Sequence, residues 1–246
     1  MAIELSSLTF TDQADIVPAS GVAQILNTGT ANTLAGDDII IGTSTSSGSG
    51  VGINNFIGAI NTGDGDDILI GTSTSASGYG IQNYSQNINT IETINTGAGK
   101  DTIIAIGPTY GIYNFNVIET GVGDDKILAT GGEYGIVNFG IIDTGDDKDS
   151  IIVDGGFRGT GIVFLGNGED YLKGFGSGDF YGGNGYDTLE LTPGTYTVGI
   201  WGEEDTSVIF TKSNQLMITS EFEKLKAGNT LYDFTSLTAG QIITVA

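Results

Sequence analysis

The chain contains no cysteine and no histidine. Without cysteine it forms no disulfide, and without histidine it lacks the commonest general base and metal-binding imidazole. Positive charge is scarce: 8 basic residues face 30 acidic ones, for a net charge of −22. The first basic residue is Lys100 and the single arginine is Arg158. Such a chain has no basic patch with which to hold nucleic-acid phosphates or an anionic membrane surface, so its natural partners are cations. No apolar run reaches the ~18 residues of a membrane span. The start, Met1-Ala2-Ile3-Glu4-Leu5, has neither a basic n-region nor an apolar h-region, so no signal peptide is expected.

Glycine, by contrast, is abundant, at 41 of 246 residues, and 39% of the chain is apolar. That apolar content argues against a disordered acidic tail. Glycine spaced periodically among β-branched residues points to repeated turns between short strands.

The period is carried by a Gly-x-Gly-x-Asp turn. It reads Gly63-Asp64-Gly65-Asp66-Asp67, Gly97-Ala98-Gly99-Lys100-Asp101 and Gly121-Val122-Gly123-Asp124-Asp125. It returns as Gly166-Asn167-Gly168-Glu169-Asp170 and Gly183-Asn184-Gly185-Tyr186-Asp187. A degraded copy is Gly145-Asp146-Asp147-Lys148-Asp149, and Gly36-Asp37-Asp38 is a partial one. The closing Asp residues are spaced by 29, 34, 24, 24, 21 and 17 residues, so the coils taper toward the C-terminus. Each Asp is followed two places on by an aliphatic residue: Ile40, Leu69, Ile103, Ile127, Ile151, Leu172, Leu189.

A second column supports the same period. Gly52-Ile53-Asn54-Asn55-Phe56 returns around Ile81, Ile112 and Ile136, and Gly161-Ile162-Val163 reads as a fifth copy. Stacking at about 4.8 Å then predicts an aliphatic ladder of Ile53, Ile81, Ile112, Ile136 and Ile162. It also predicts an amide ladder of Asn55, Asn83, Asn114 and Asn138, and an aromatic column of Phe56, Tyr84, Phe115 and Phe139. The Ser/Thr-rich stretches after Ile41 and Ile70 fall between the columns as loops, and Ser85 to Thr93 is an extra excursion. Gly174 to Asp179 resembles a turn on the opposite edge.

These patterns predict an all-β fold: a parallel β-helix or β-roll solenoid, right-handed by default. Residues 1–28 form an N-terminal cap, 29–191 the solenoid and 192–246 a β-rich C-terminal cap. The caps are needed because open solenoid ends are exposed strand edges.

One Asp at a turn reads equally well as an Asx turn on a solvated edge. Seven in register do not, because carboxylates about 4.8 Å apart repel by about 0.9 kcal/mol even in bulk water. A positive ion between them relieves this. The turn glycines permit φ > 0, so carbonyls can converge beside the carboxylate, and hard oxygen ligands of this kind suit Ca²⁺. The candidate metal residues are therefore Asp38, Gly63, Gly65, Asp67, Gly97, Gly99, Asp101, Gly121, Gly123, Asp125, Gly145, Asp147, Asp149, Gly166, Gly168, Asp170, Gly183, Gly185 and Asp187. Several calcium ions in one row are expected.

The turns resemble the RTX, or haemolysin-type, calcium-binding repeats of proteins exported by type I secretion, most closely over 166–191. The resemblance implies calcium held by the Asp side chain and turn carbonyls of adjacent coils. It further implies folding on calcium outside the cell, a secreted or cell-surface location and an uncleaved C-terminal export signal. Most coils here exceed 18 residues, so this is a one-edged variant.

The expected function is that of a calcium-stabilised structural or surface protein, monomeric and without catalysis. The alternative is a β-helix that adheres to or modifies polysaccharide, with Tyr79, Tyr110, Tyr113 and Tyr134 as sugar platforms. Catalysis would need a positioned base or carboxylate pair, and the paired acids are better explained by the calcium turns. An ice-binding face built on Thr43/Thr45 and Thr72/Thr74 does not continue past Ile106.

Overall fold

The computed structural model describes residues 2–19, 21–48, 50–85, 90–202 and 207–246. Gln86 to Asn89, within the expected excursion after Ser85, lie outside the described residues. Among the described residues there are β-strands and two short 3-10 turns, and no α-helix. The strands wind into a solenoid with three faces.

One coil shows the plan. Strand Val51–Asn55 lies on the first face and Ala59–Asn61 on the third. The turn through Gly63 to Asp67 leads to Ile68–Ser73 on the second face. Tyr79–Asn83 then stacks on Val51–Asn55, one coil on. Alternation along each strand sends one set of side chains inward. Inside, Ile40, Leu69, Ile103, Ile127, Ile151, Leu172 and Leu189 stand in register and are fully buried, as the spacing predicts. They meet Ile60, Ile94, Ile118 and Ile142 from the third face and Ile25, Ile53, Ile81, Ile112 and Ile136 from the first.

The predicted aliphatic ladder is correct up to Ile136 and wrong at Ile162. Phe157, not Ile162, pairs with Ile136. Ile162 pairs with Ile141 on the third face and points outward, and Val163 takes the buried place. The first face ends at Phe157–Gly159, so the last two coils lose one of their three sides. That loss accounts for the last step to 17 residues; the earlier drop from 34 to 24 occurs while all three faces are present and comes from shorter connections, and the rings of Phe157 and Phe180 lie 4.9 Å apart in the narrowed interior. Gly174 to Asp179 joins the second face to the third on the edge opposite the Asp turns, with Gly176 at φ 154° and Gly178 at φ 143°. Gly176 bridges to Phe157, and Asp179 lies within strand Gly178–Gly185.

The amide ladder is present and longer than expected. Each Asn Nδ2 donates to the Oδ1 of the next coil, from Asn27 through Asn55, Asn83 and Asn114 to Asn138, at 2.8 to 2.9 Å. Tyr84, Phe115 and Phe139 follow one another at ring separations of 5.1 and 4.7 Å.

At the C-terminal end, antiparallel strands Gly194–Trp201, Ser207–Lys212 and Gln215–Ser220 extend the third face. Lys224–Ala227 adds one more parallel strand to the second face. At the N-terminal end the stacking already begins with Ala2–Glu4 on Gln24–Asn27.

Candidate metal centre

The Asp turns join the third face to the second. Their middle residues Ala35, Asp64, Ala98, Val122, Asp146 and Asn167 bridge in parallel, so the turns are stacked in register. The first glycine of each turn, from Gly63 to Gly183, sits at φ between 97° and 106°. The second, at Gly65, Gly99, Gly123 and Gly185, sits between 133° and 145°. Gly123 shows why no side chain fits: a Cβ would stand 1.6 Å from the Gly99 carbonyl oxygen. Three positions break the pattern. Leu34 (φ 80°) and Asp147 (φ 82°) occupy glycine positions of their turns, and Gly168 has no positive φ.

The closing Asp residues Asp38, Asp67, Asp101, Asp125, Asp149, Asp170 and Asp187 are brought into one buried column, each at most 2% exposed. Their carboxylates split their work. Oδ1 accepts the backbone N–H of the Asp one coil earlier: Asp38 N–H to Asp67, Asp67 to Asp101 and Asp101 to Asp125, at 2.7 to 2.8 Å. Asp125, Asp149 and Asp170 continue the series at 2.7 to 2.9 Å. Oδ2 of all seven is buried with no hydrogen-bond partner.

A threonine file runs beside this column. Thr62 stands next to the Asp67 carboxylate, but its one hydroxyl hydrogen is donated to the Thr96 carbonyl of the next coil. Thr33, Thr96, Thr120 and Thr144 do the same. In the last two coils the hydroxyl disappears, with Leu165 and then Gly182 in its place. A Cβ at Gly182 would lie 2.9 Å from Asp187 Oδ2, which marks the equivalence.

Burial is the chief cause of the column's electrostatics: it removes water from the carboxylates and raises their pKa values. Asp67, Asp101 and Asp187 are pushed up to about 6, Asp170 to about 7 and Asp149 to about 8. Asp38 and Asp125 are raised for the same reason. Neighbouring carboxylates add to the rise, and the donated N–H groups oppose it.

An exposed acidic row runs outside the first. Asp66 N–H donates to Asp37 Oδ1 and Lys100 N–H to Asp66 Oδ1. The Lys100 ammonium reaches Asp124 Oδ2 at 2.8 Å. This row is solvated and partly neutralised, unlike the inner one.

The residues fit a hard cation in one respect and limit it in another. The orphaned Oδ2 atoms are anionic oxygens with nothing opposite them, which is costly unless a cation or proton is present. Two turn carbonyls are already committed. The first glycine's carbonyl accepts from the next coil, as at Gly97 from Val122, and the middle residue's from the previous coil, as at Ala98 from Gly65. The second glycine's carbonyl accepts no described backbone hydrogen bond at Gly65, Gly99 and Gly123, whereas that of Gly168 accepts the Tyr186 N–H. Among the described residues no three acidic side chains gather at one point; the stack offers its carboxylates singly, one per coil.

One member of the site has no signature in sequence. Glu223 Oε2 accepts the Asp187 N–H at 2.7 Å and closes the column from the C-terminal cap. Only the pairing of Thr188 with Lys224 places it there. At the other end, Asp15 N–H donates to Asp38 Oδ1.

The tyrosines proposed as sugar platforms use their faces on one another. Tyr79 stacks on Tyr110 at 5.0 Å and on Tyr113 at 5.3 Å, and Arg158 covers the Tyr134 ring.

Comparison with protein-family models, with curated proteins and with solved structures finds no match to this chain.

Proposed function

We propose that this is a calcium-binding structural protein, exported or displayed at a cell surface, whose folding is coupled to ions held along the Asp column. The observation that carries the reading is the row of seven buried Oδ2 atoms without partners. A chain of net charge −22 does not stack seven carboxylates in its interior at no cost. Calcium answers that cost with oxygen ligands alone, in keeping with a chain that has neither His nor Cys. The similarity of the turns to RTX repeats supports the same ion and supports export.

The ligands would be Oδ2 of Asp38, Asp67, Asp101, Asp125, Asp149, Asp170 and Asp187, with the uncommitted carbonyls of Gly65, Gly99 and Gly123 as further oxygens. Because the site requires stacked coils, binding free energy is folding free energy. No catalytic role is proposed. The stacked tyrosine faces weigh against a sugar-binding platform.

The test is a calcium titration of chelator-treated protein, followed by far-UV circular dichroism and calorimetry, with magnesium as the control. The reading expects a gain of β-structure or a large rise in Tm with calcium and little with magnesium. A chain equally folded and equally stable in chelator, with no heat of calcium binding, would overturn it. The column would then be a protonated, purely architectural ladder.

A further inference from the structure

The threonine file beside the Asp column ends in a gap. In five coils a threonine hydroxyl donates to the carbonyl of the next member of the file. Thr33 donates to Thr62, Thr62 to Thr96, Thr96 to Thr120, Thr120 to Thr144 and Thr144 to Leu165, at 2.7 to 3.2 Å. The pairing of Tyr181 with Ser220 makes Glu221, in the C-terminal cap, the member that follows Gly182. Gly182 has no side chain to donate, and the Glu221 carbonyl accepts no described backbone hydrogen bond. A Cβ at Gly182 would stand 2.0 Å from that carbonyl oxygen and 2.9 Å from Asp187 Oδ2. The two oxygens therefore face one space and lie within about 5 Å of each other. One ion spans that distance at the 2.3–2.6 Å of calcium–oxygen contacts.

We propose that this gap is a separate calcium site, closed by the C-terminal cap, in which Asp187 Oδ2 and the Glu221 carbonyl hold one ion and fasten the cap to the last coil. Asp187 is fully buried, and its Oδ2 has no partner in the protein. Glu221 holds φ 62°, a left-handed backbone that a non-glycine residue adopts only where its surroundings impose it. Charge decides between an ion and a water. Burial, and then the charges of Glu223 and Glu221, push the Asp187 carboxyl up to about 6, so both glutamates act on the gap. Glu223 is fixed there by the Asp187 N–H. Lys224, next to it in the chain, is turned away to Asp233 and lies over the Tyr186 ring. A water satisfies the two oxygens but leaves this negative charge in place; a dication answers both. The site rests on the reading of the Asp column as calcium-binding. It adds a ligand that lies outside every repeat, so that binding and docking of the cap are one event.

The test counts calcium by isothermal titration calorimetry on the whole chelator-treated chain, native and as Asp187→Asn and Glu223→Gln. Hydrogen exchange in calcium reports on the cap. Asp187→Asn keeps an oxygen for the Asp170 N–H and offers an amide hydrogen to the Glu221 carbonyl in place of the ion. It is expected to bind one equivalent fewer and to protect the amides of Lys224–Ala227 less than the native chain does. Glu223→Gln keeps an acceptor for the Asp187 N–H and is expected to weaken one equivalent at least tenfold. A native chain that binds no calcium overturns the reading of the whole column, and this site with it. A native chain that binds calcium, with both variants unchanged in stoichiometry and affinity, overturns this site alone, and the gap then holds water. Loss of an equivalent in Asp187→Asn, with Glu223→Gln indifferent and the cap equally protected, also overturns it, because the ion then lies between turns. If Asp187→Asn does not fold, Glu223→Gln still decides.

Discussion

Asp149 Oδ1 accepts the backbone N–H of Asp125 at 2.8 Å, while Oδ2 of the same carboxylate is buried with no partner. The two oxygens have separable duties: one holds the preceding coil in register, and the other is free for a cation or a proton. Substitutions that keep one duty and remove the other distinguish architecture from ion binding.

Asp125→Asn keeps an acceptor for the Asp101 N–H and removes the charge. It is expected to raise stability in chelator and to diminish the calcium-induced rise in Tm. Asp125→Ala removes both duties, strands the Asp101 N–H, and costs about 1–3 kcal/mol in chelator. Urea denaturation of both variants with and without calcium checks this. Equal behaviour of Asn and Ala would mean that Oδ1 contributes nothing.

The raised pKa values give stability a defined pH dependence. From pH ~4 upward the folded column binds more protons than the unfolded chain, so without metal stability falls as pH rises. The loss continues through about 6 for Asp67, Asp101 and Asp187, and about 8 for Asp149. Glu190 works the other way. Its contacts with Lys173, Lys226 and Tyr171 outweigh burial and hold its pKa at about 2, so its contribution is lost only in strong acid. In chelator, Tm is therefore expected to be highest at mildly acidic pH. Calcium needs the deprotonated column, so its stabilising effect should grow over the same rise in pH. Tm measured from pH 4 to 9 in chelator and in calcium should give curves that diverge; parallel curves would separate the titrating groups from the ion.

Asn83 sits mid-ladder, accepting from Asn55 and donating to Asn114, Glu92 O and Val117 O. Asn83→Ala leaves several of these buried groups unpaired and is expected to cost about 2–4 kcal/mol. Asn138→Ala, at the end of the ladder, should cost less. Equilibrium unfolding of the two variants checks the order.

Leu34 and Asp147 hold positive φ where the other turns have glycine. Leu34→Gly and Asp147→Gly should each relieve about 1 kcal/mol of backbone strain. Gly123→Ala has both a positive φ and no room for a Cβ, and should prevent the stacked turn from forming. Thermal melts of the three variants, in calcium throughout, are sufficient.

The repeat was legible because each coil carries its own local demands. Glycine is required where φ is positive, an aliphatic residue two places after each Asp faces inward, and Asn occupies the equivalent place one coil later. Those demands are written within a few residues, so the sequence alone determined the all-β solenoid, the Asp column from Asp38 to Asp187 and the amide ladder. Register between distant strands was decided only by tertiary structure. Ile162 matches the local pattern of Ile136, yet pairs with Ile141, because the first face ends at Gly159 and the chain has one side fewer to cover. Glu223 joins the Asp column through the pairing of Thr188 with Lys224, with no motif of its own. The tertiary structure also divided each carboxylate into a bonded and an orphaned oxygen, since that depends on which backbone N–H lies one coil away. Which isoleucines face outward was hidden in the sequence for a related reason: Ile39, Ile40 and Ile41 are alike in composition, and only the pleat sends the middle one inward and its neighbours to the surface.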